Sequence, residues 1–299
     1  MVSLSINIFS ILVITEFVLG NFANGFIVLV NCMDWFKRQM SCADRILTAL
    51  AVSRIGLLWL ILLNWCASLL NPALFSSKVK TIVYIFWALS SHFSLWLVTS
   101  LSILYLLRIA NFSSPFFLHL KWKAERVVLM ILLGSCIFLA CHVAVICTDD
   151  NIQMNEYEGN TTWETNLRAT VKVPTMTTYT LANFIPFTIS MSAFLMLIFS
   201  LWKHLKKMQL GGKTFEDAST KVHVRAMQTV LSFLLLFVIH VVAQIISIWT
   251  PKTIQNDSFL MLCQVLGLLY PFSHSFILIW GNKKLQQAFL SFLWQLRCW

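Results

Sequence analysis

The sequence predicts an all-α membrane protein, a bundle of seven transmembrane helices followed by a short C-terminal interfacial helix. Three observations predict it. Of 299 residues, 58% are hydrophobic and only 11% are charged, whereas an average soluble domain carries about 25% charged residues. The apolar residues gather into runs of about the 20 residues that a helix needs to cross a bilayer. Lys and Arg fall in short clusters between those runs, so the net charge of +10 does not form a single nucleic-acid-binding patch.

The predicted spans are 7–31, 45–70, 81–108, 126–147, 179–202, 226–249 and 259–280. Helices are expected because in lipid every backbone N–H and C=O must find a partner inside its own segment. The strand alternation of an outer-membrane barrel is absent. No Lys or Arg precedes Lys37 and no small-residue cleavage site follows the first run, which therefore reads as a helix doubling as an uncleaved signal.

Charge asymmetry orients the bundle. With the N-terminus outside, the inner segments hold Lys37, Arg38, Arg45, Arg108, Lys121, Lys123, Arg126, Lys203, Lys206, Lys207, Lys213, Lys221, Arg225, Lys283, Lys284 and Arg297. The outer segments hold only Lys78, Lys80, Arg168, Lys172 and Lys252. Short cytoplasmic loops carry such an excess, so the N-terminus is expected outside and the C-terminus in the cytoplasm. The Asn160-Thr161-Thr162 sequon falls in the longest outer loop, about 148–178, making Asn160 the expected glycosylation site. After a break at Gly281-Asn282, residues 283–298 carry apolar side chains at helical spacing (Leu285, Ala288, Phe289, Phe292, Leu293, Leu296), as in a helix lying in the inner headgroup layer. The eight cysteines make neither a disulfide framework nor a zinc spacing.

Polar residues at bilayer depth cost free energy and are the first functional suspects. Arg54 lies about 14 Å from the inner end of its span, and Asn24 and Ser273 about 10 Å from theirs. They are expected to form a polar cluster joining the first, second and seventh helices, either as a switch or as static packing. Pro186 and Pro271 lie within spans and kink helices. A second set lies in the outer half. Trp87, Ser90, Ser91 and His92 fall about 9–17 Å below the outer end of the third span. Trp65, Asn183, Phe187, His240, Gln244 and Gln264 lie at compatible depths. Aromatic walls with a few neutral polar groups suit a small-molecule pocket, while each residue alone is more often packing or interhelical hydrogen bonding. No catalytic or phosphate-binding motif occurs, the seven His are scattered, and no cofactor or metal is expected.

Several longer strings carry a resemblance. The first span contains Gly20-Asn21-Phe22-Ala23-Asn24-Gly25-Phe26-Ile27. The second contains Asp44-Arg45-Ile46-Leu47-Thr48-Ala49-Leu50-Ala51-Val52-Ser53-Arg54, then Leu63-Asn64-Trp65. The third ends in Tyr105-Leu106-Leu107-Arg108-Ile109-Ala110-Asn111-Phe112-Ser113. The fifth holds Ile185-Pro186-Phe187 and ends in Lys203-His204-Leu205-Lys206-Lys207-Met208. Ala218-Ser219-Thr220-Lys221-Val222-His223 follows. The seventh closes with His274-Ser275-Phe276-Ile277-Leu278-Ile279-Trp280-Gly281-Asn282-Lys283-Lys284-Leu285.

In these strings the chain resembles the type 2 bitter taste receptors, seven-helix G-protein-coupled receptors. The resemblance implies bitter small-molecule agonists outside and a gustducin/inhibitory-type heterotrimeric G protein inside, at the plasma membrane. It implies that Trp87 and Trp65 line the agonist pocket, that His240 stands at a position linked to switching and that Gln264 helps select ligands. Ser91 replaces the Asn common in close relatives, His240 a Tyr or Phe, and Arg108 the usual Lys. On the inner side it implies Tyr105, Arg108, His204, Lys206 and Met208 as G-protein contacts. Membrane lipid headgroups are the alternative partners of the basic members. Two other classes remain beside this one: a seven-helix receptor for another cue, of pheromone type, and a small membrane transporter.

Overall fold

The computed structural model describes residues 2–37, 40–70, 77–110, 112–158, 164–210, 218–250 and 257–297. Among them the chain forms helices and no strand: α1 (Val2–Phe36), α2 (Cys42–Leu70), α3 (Ser77–Ile109), α4 (Pro115–Trp122), α5 (Ala124–Glu158), α6 (Glu164–Leu210), α7 (Ala218–Trp249), α8 (Asp257–Gly281) and α9 (Lys283–Arg297). Six stretches, Asn7–Phe36, Cys42–Leu63, Thr81–Ile109, Ala124–Thr148, Met176–Leu210 and Val224–Trp249, are long and apolar enough to cross a membrane. In α8 the apolar stretch is shorter, Val265–Gly281.

The helices outrun the predicted spans. Hydropathy ends where the hydrocarbon ends, but backbone hydrogen bonding does not. The outer loop expected over 148–178 is therefore largely helical, α5 continuing to Glu158 and α6 beginning at Glu164. Asn160 lies outside the described residues, between those ends. Helix α4 was not expected from the sequence. It is too short to span, and it starts where Pro115, whose φ suits a first helical turn, follows an extended Ser114.

Packing closes a ring. α1 lies against α2 and α8, α8 against α7, α7 against α6, and α6 against α5 and α3, while α3 also meets α2 and α5. α3 is innermost: Ser94 to Ser102 are buried without interruption, so every face of that helix meets protein. Outward faces are apolar instead, with Ile11, Val18 and Leu29 on α1 and Leu129, Leu133 and Ile137 on α5 all exposed. Such a surface needs lipid around it. The seven described cysteines are free thiols, and four of them (Cys66, Cys136, Cys141 and Cys147) face outward.

The ends are tied locally. Ser41 and Asp44 form a reciprocal capping box at the start of α2: Asp44 N donates to Ser41 Oγ (3.1 Å) and Ser41 N to Asp44 Oδ2 (3.2 Å). Asn282 makes the predicted break and caps α9, its Oδ1 accepting from Lys284 N at 3.0 Å. The apolar face of α9 turns partly onto α1, Phe289 meeting Phe26 at 5.4 Å between centroids and Phe292 meeting Phe22 at 6.3 Å. Leu290, Leu293 and Trp294 stay exposed for the headgroup layer.

Close approach of α1 to α2 rests on Gly20, where an added Cβ would lie 2.9 Å from Leu58 Cδ1, itself fully buried. Gly25 has open space at the same position. Gly20→Ile is expected to cost about 1–3 kcal/mol by overpacking, read as a lower melting temperature of the detergent-purified protein. Gly25→Ala is expected to leave melting unchanged or slightly raised. Equal melting of the two variants would contradict this packing.

Candidate functional site

In the half of the bundle expected to face outward, Trp87 of α3 stacks on Tyr179 of α6, their rings 5.6 Å apart and 4° from parallel. Tyr84 also stacks on Trp87, at 5.5 Å. Tyr179 then donates its hydroxyl to Gln244 Oε1 of α7 at 2.8 Å. Asn183 sits one turn inward on α6 and donates to Tyr179 O. Trp87, Asn183 and Gln244 are thus brought together, and the residue that joins them, Tyr179, was not singled out from the sequence. At the first position of its span it reads as an interfacial aromatic.

The remaining outer residues divide among several seams. Phe187 packs on Phe237 at 5.4 Å and His240 on Tyr270 at 5.0 Å, placing both where α6, α7 and α8 converge. Trp65 is buried with Val13, Leu58 and Leu268 in the α1–α2–α8 corner. Ser90 turns toward Gly56 of α2. His92 leaves the shared cavity expected of it: its Nε2 lies 3.3 Å from Ser135 Oγ on α5 and its ring 6.0 Å from Trp96. Five residues after Trp87, it is rotated by about 140° on the same helix. Ser91 is half-buried, and the side chain of Gln264 lies outside the described residues.

Below this level the two prolines organise contacts. Pro271 has no N–H to offer Gly267 O, and His240 Nδ1 supplies one at 3.0 Å. Since a carbonyl only accepts, Nδ1 carries the proton. Gly267 permits the approach, because a Cβ there would lie 2.8 Å from Gln244 Nε2. On α6, the Pro186 carbonyl lies 3.1 Å from Thr99 Oγ1 of α3, which also meets Ser190 Oγ at 2.8 Å. Neither Thr99 nor Ser190 stands out in the sequence, since hydroxyls are common in helices.

Arg54 is fully buried. Its guanidinium donates to His274 Nδ1 (2.5 Å) and Ser275 Oγ (3.2 Å), and its Cζ lies 5.1 Å from the Tyr270 ring centroid. Ser275 Oγ lies 2.8 Å from Asn24 Oδ1 and 3.0 Å from Pro271 O, with one proton for the two. Asn24 donates to Gly20 O. The expected Asn24–Arg54 cluster therefore exists, but its seventh-helix members are His274 and Ser275. Ser273 is corrected out of it: two residues earlier, it is turned by about 200° around α8. Depth alone, without rotation, had selected it.

The opposite end of the bundle holds two ion clusters. Lys284 Nζ meets Asn31 Oδ1 (2.8 Å), Asp34 Oδ2 (2.8 Å) and Asp44 Oδ1 (3.0 Å), so each of its three protons has an acceptor. Partial burial alone would lower its pKa, but the bonds and charges of Asp34 and Asp44 outweigh that and hold the ammonium above the usual lysine range. Arg108 and Arg45 instead share Glu125, at 3.3 Å and 3.7 Å. Of the other expected inner contacts, Tyr105 and Met208 are half-buried, while His204 and Lys206 are exposed on the last turns of α6. Lys206 Nζ lies 5.5 Å from the Trp202 ring centroid. Among the described residues, no group of three or more His, Cys, Asp or Glu is placed to hold a metal.

The bundle is jacketed by apolar side chains, aromatic and neutral-polar toward one end and cationic at the other, which fits a helical membrane protein. Comparison with known proteins agrees. The family model described as Taste receptor protein (TAS2R) matches residues 1–297. The chain is 55% identical over 293 residues to taste receptor type 2 member 45 of Pan paniscus, and 56% identical over 293 residues to member 31 of Papio hamadryas and to member 46 of Homo sapiens. Each alignment covers 98% of this chain and 95% of the relative. The chain belongs to the type 2 taste receptor family. It is a multi-pass membrane receptor for bitter small molecules, coupled to a G protein, and not an enzyme. Membership decides against the transporter and pheromone-type alternatives.

Replacing Arg54 by Leu removes the guanidinium that bonds α2 to His274 and Ser275. At matched surface expression, agonist-driven GTP exchange is expected to fall at least about tenfold, the equivalent of losing about 1.4 kcal/mol of coupling. Normal exchange by that variant would assign the cluster to static packing.

Proposed function

We propose that this receptor crosses the plasma membrane seven times, N-terminus extracellular and C-terminus cytoplasmic, and that bitter agonists bind in the outer half of the bundle to activate a gustducin/inhibitory-type G protein. The observation that carries the reading is the Trp87–Tyr179–Gln244 link. It joins three helices through one aromatic stack and one neutral hydrogen bond at the depth where a ligand entering from outside would arrive.

α8 supplies the seventh span in this reading. Its 25 residues measure about 37 Å at 1.5 Å each, more than the roughly 30 Å hydrocarbon layer. The excess of Lys and Arg on one side supports the orientation. Asn160, in the outer segment between α5 and α6, is then the glycan acceptor.

Trp87, Asn183 and Gln244 form the near wall of the pocket, with Phe187 and His240 beneath. Trp65, Ser90, Ser91 and Gln264 belong to the wall on the α2 and α8 side. His92 acts from behind, by holding α3 to α5. Uncharged or amphipathic agonists suit such a lining. Pro186, with Asn24, Arg54 and the α8 residues bonded to it, transmits the change inward. Tyr105, Arg108, His204, Lys206 and Met208 meet the G protein, and anionic lipid headgroups compete for the basic ones.

The test is a calcium assay in cells expressing the chain with a gustducin-chimeric G protein, across a panel of bitter compounds. Wild type is expected to respond, and Trp87→Ala to lose the response at equal surface expression. Tyr179→Phe keeps the stack but removes the hydroxyl, and is expected to shift potency less than Trp87→Ala does. An unchanged response in Trp87→Ala would move the pocket elsewhere.

A further inference from the structure

At the corner where the ends of α2 and α3 meet the start of α5, two arginines share one carboxylate, and three more cations lie nearby in sequence. Arg45 begins α2, Arg108 ends α3, Lys121 ends α4, and Lys123 and Arg126 flank the start of α5. Glu125 lies in the first turn of α5, beside Arg108 and Arg45. Asp44, the nearest other carboxylate along α2, is committed to Ser41 and Lys284. Lys121 is directed to the carbonyl of Ala110 at the end of α3, at 3.1 Å.

The grip on Glu125 is loose. Each of its oxygens receives one contact, Arg108 Nη2 at 3.3 Å on Oε1 and Arg45 Nη2 at 3.7 Å on Oε2, and all three side chains are more than half exposed. Neither arginine makes the bidentate pair its planar fork allows. Exposed pairs of this kind hold weakly. Both arginines thus keep donors that Glu125 does not engage, and the three side chains together carry a net positive charge, while the carboxylate occupies the position an incoming acid would take.

We infer that the Arg45–Arg108 pair is a docking point for a carboxylate of the cytosolic G protein, and that Glu125 is its intramolecular stand-in, displaced on coupling. The inference deepens the coupling reading above and rests on it. It adds Arg45 to the contact surface and makes Glu125 a brake, which no count of basic residues would show.

The test uses the full-length receptor in nanodiscs of neutral phosphatidylcholine with a purified inhibitory-type heterotrimer, reading GTP exchange with and without agonist at several salt concentrations. Glu125→Gln keeps shape and removes charge. It is expected to raise exchange about two- to fivefold at low salt, the scale of one exposed ion pair, with the gain fading as salt rises. Arg45→Gln and Arg108→Gln are each expected to lower exchange, and combining either with Glu125→Gln should erase most of the gain.

Exchange by Glu125→Gln at or below wild type, with equal receptor in the disc, would overturn the inference while leaving the coupling reading intact. A gain seen only after adding phosphatidylserine would also overturn it, by making a lipid headgroup the partner. A wild-type receptor that drives no exchange with any bitter compound would sink the coupling reading, and this one with it.

Discussion

The rest of the bundle depends on a guanidinium held at mid-membrane depth. An arginine at the centre of a spanning helix costs about 2.5–3.5 kcal/mol to insert even when it can relax toward water. Arg54 cannot relax, being fully buried, and no described carboxylate pairs with it. Its charge is instead spread over a neutral imidazole nitrogen, a hydroxyl and an aromatic face: His274, Ser275 and Tyr270. All three come from α8, within five residues. α2 and α8 are thereby fixed in rotation and in depth, and Asn24 extends the constraint to α1 through Ser275. Dipoles rather than an ion pair receive the charge through Nη1 and Nη2, while Nε is buried without a hydrogen-bond partner. Several weak partners can be exchanged one at a time, so the arrangement is better suited to change than a buried salt bridge would be.

That constraint reaches the outer site through Pro271. The freed carbonyl of Gly267 must find a donor in a medium without water, and His240 of α7 provides it. Gln244, one turn outward on α7, crosses Gly267 at the same contact and takes the hydroxyl of Tyr179. Tyr179 in turn lies flat on Trp87. Each step from Trp87 to Asn24 is a hydrogen bond, a ring contact or a packing contact at a residue without a side chain. A molecule that separates Trp87 from Tyr179 perturbs Gln244, and with it the contact at Gly267, whose carbonyl His240 bonds. The route is a physical connection between two sites; coupling along it is what substitution of Arg54 measures.

Much of this was legible in the sequence, for one reason: lipid simplifies the rules. Runs of apolar residues had to be helices, and polar residues inside them had to matter. Hence Arg54, Asn24, Trp87, His240 and Gln244 were singled out, Trp87 and His240 by the family resemblance as well as by depth. Rotation was not legible, because a helix surrounded by protein on one side and lipid on the other shows little hydrophobic contrast between its faces. Ser273 was chosen over Ser275 on that account, and His92 was assigned to a cavity it turns away from. Helix ends outside the hydrocarbon were missed because the apolar signal stops there, which hid α4 and the extensions of α5 and α6. Ion clusters assembled from distant segments were equally hidden: Lys284 lies 250 residues from Asp34.

The two inner clusters show how geometry assigns different work to similar residues. Lys284 is partly buried, and all three of its protons are taken at 2.8–3.0 Å. Removing it would leave two carboxylates facing each other in a confined site, so it acts as a fixed joint between α9 and the inner ends of α1 and α2. Glu125 is more exposed than any group in that joint, and its contacts are longer. Breaking them costs little, because water replaces what is lost. Motion at the inner face should therefore concentrate on the α2–α3–α5 corner, while the α1–α2–α9 corner stays rigid. A receptor needs both, one to keep the bundle seated in the headgroup layer and the other to release arginines toward whatever approaches from the cytoplasm.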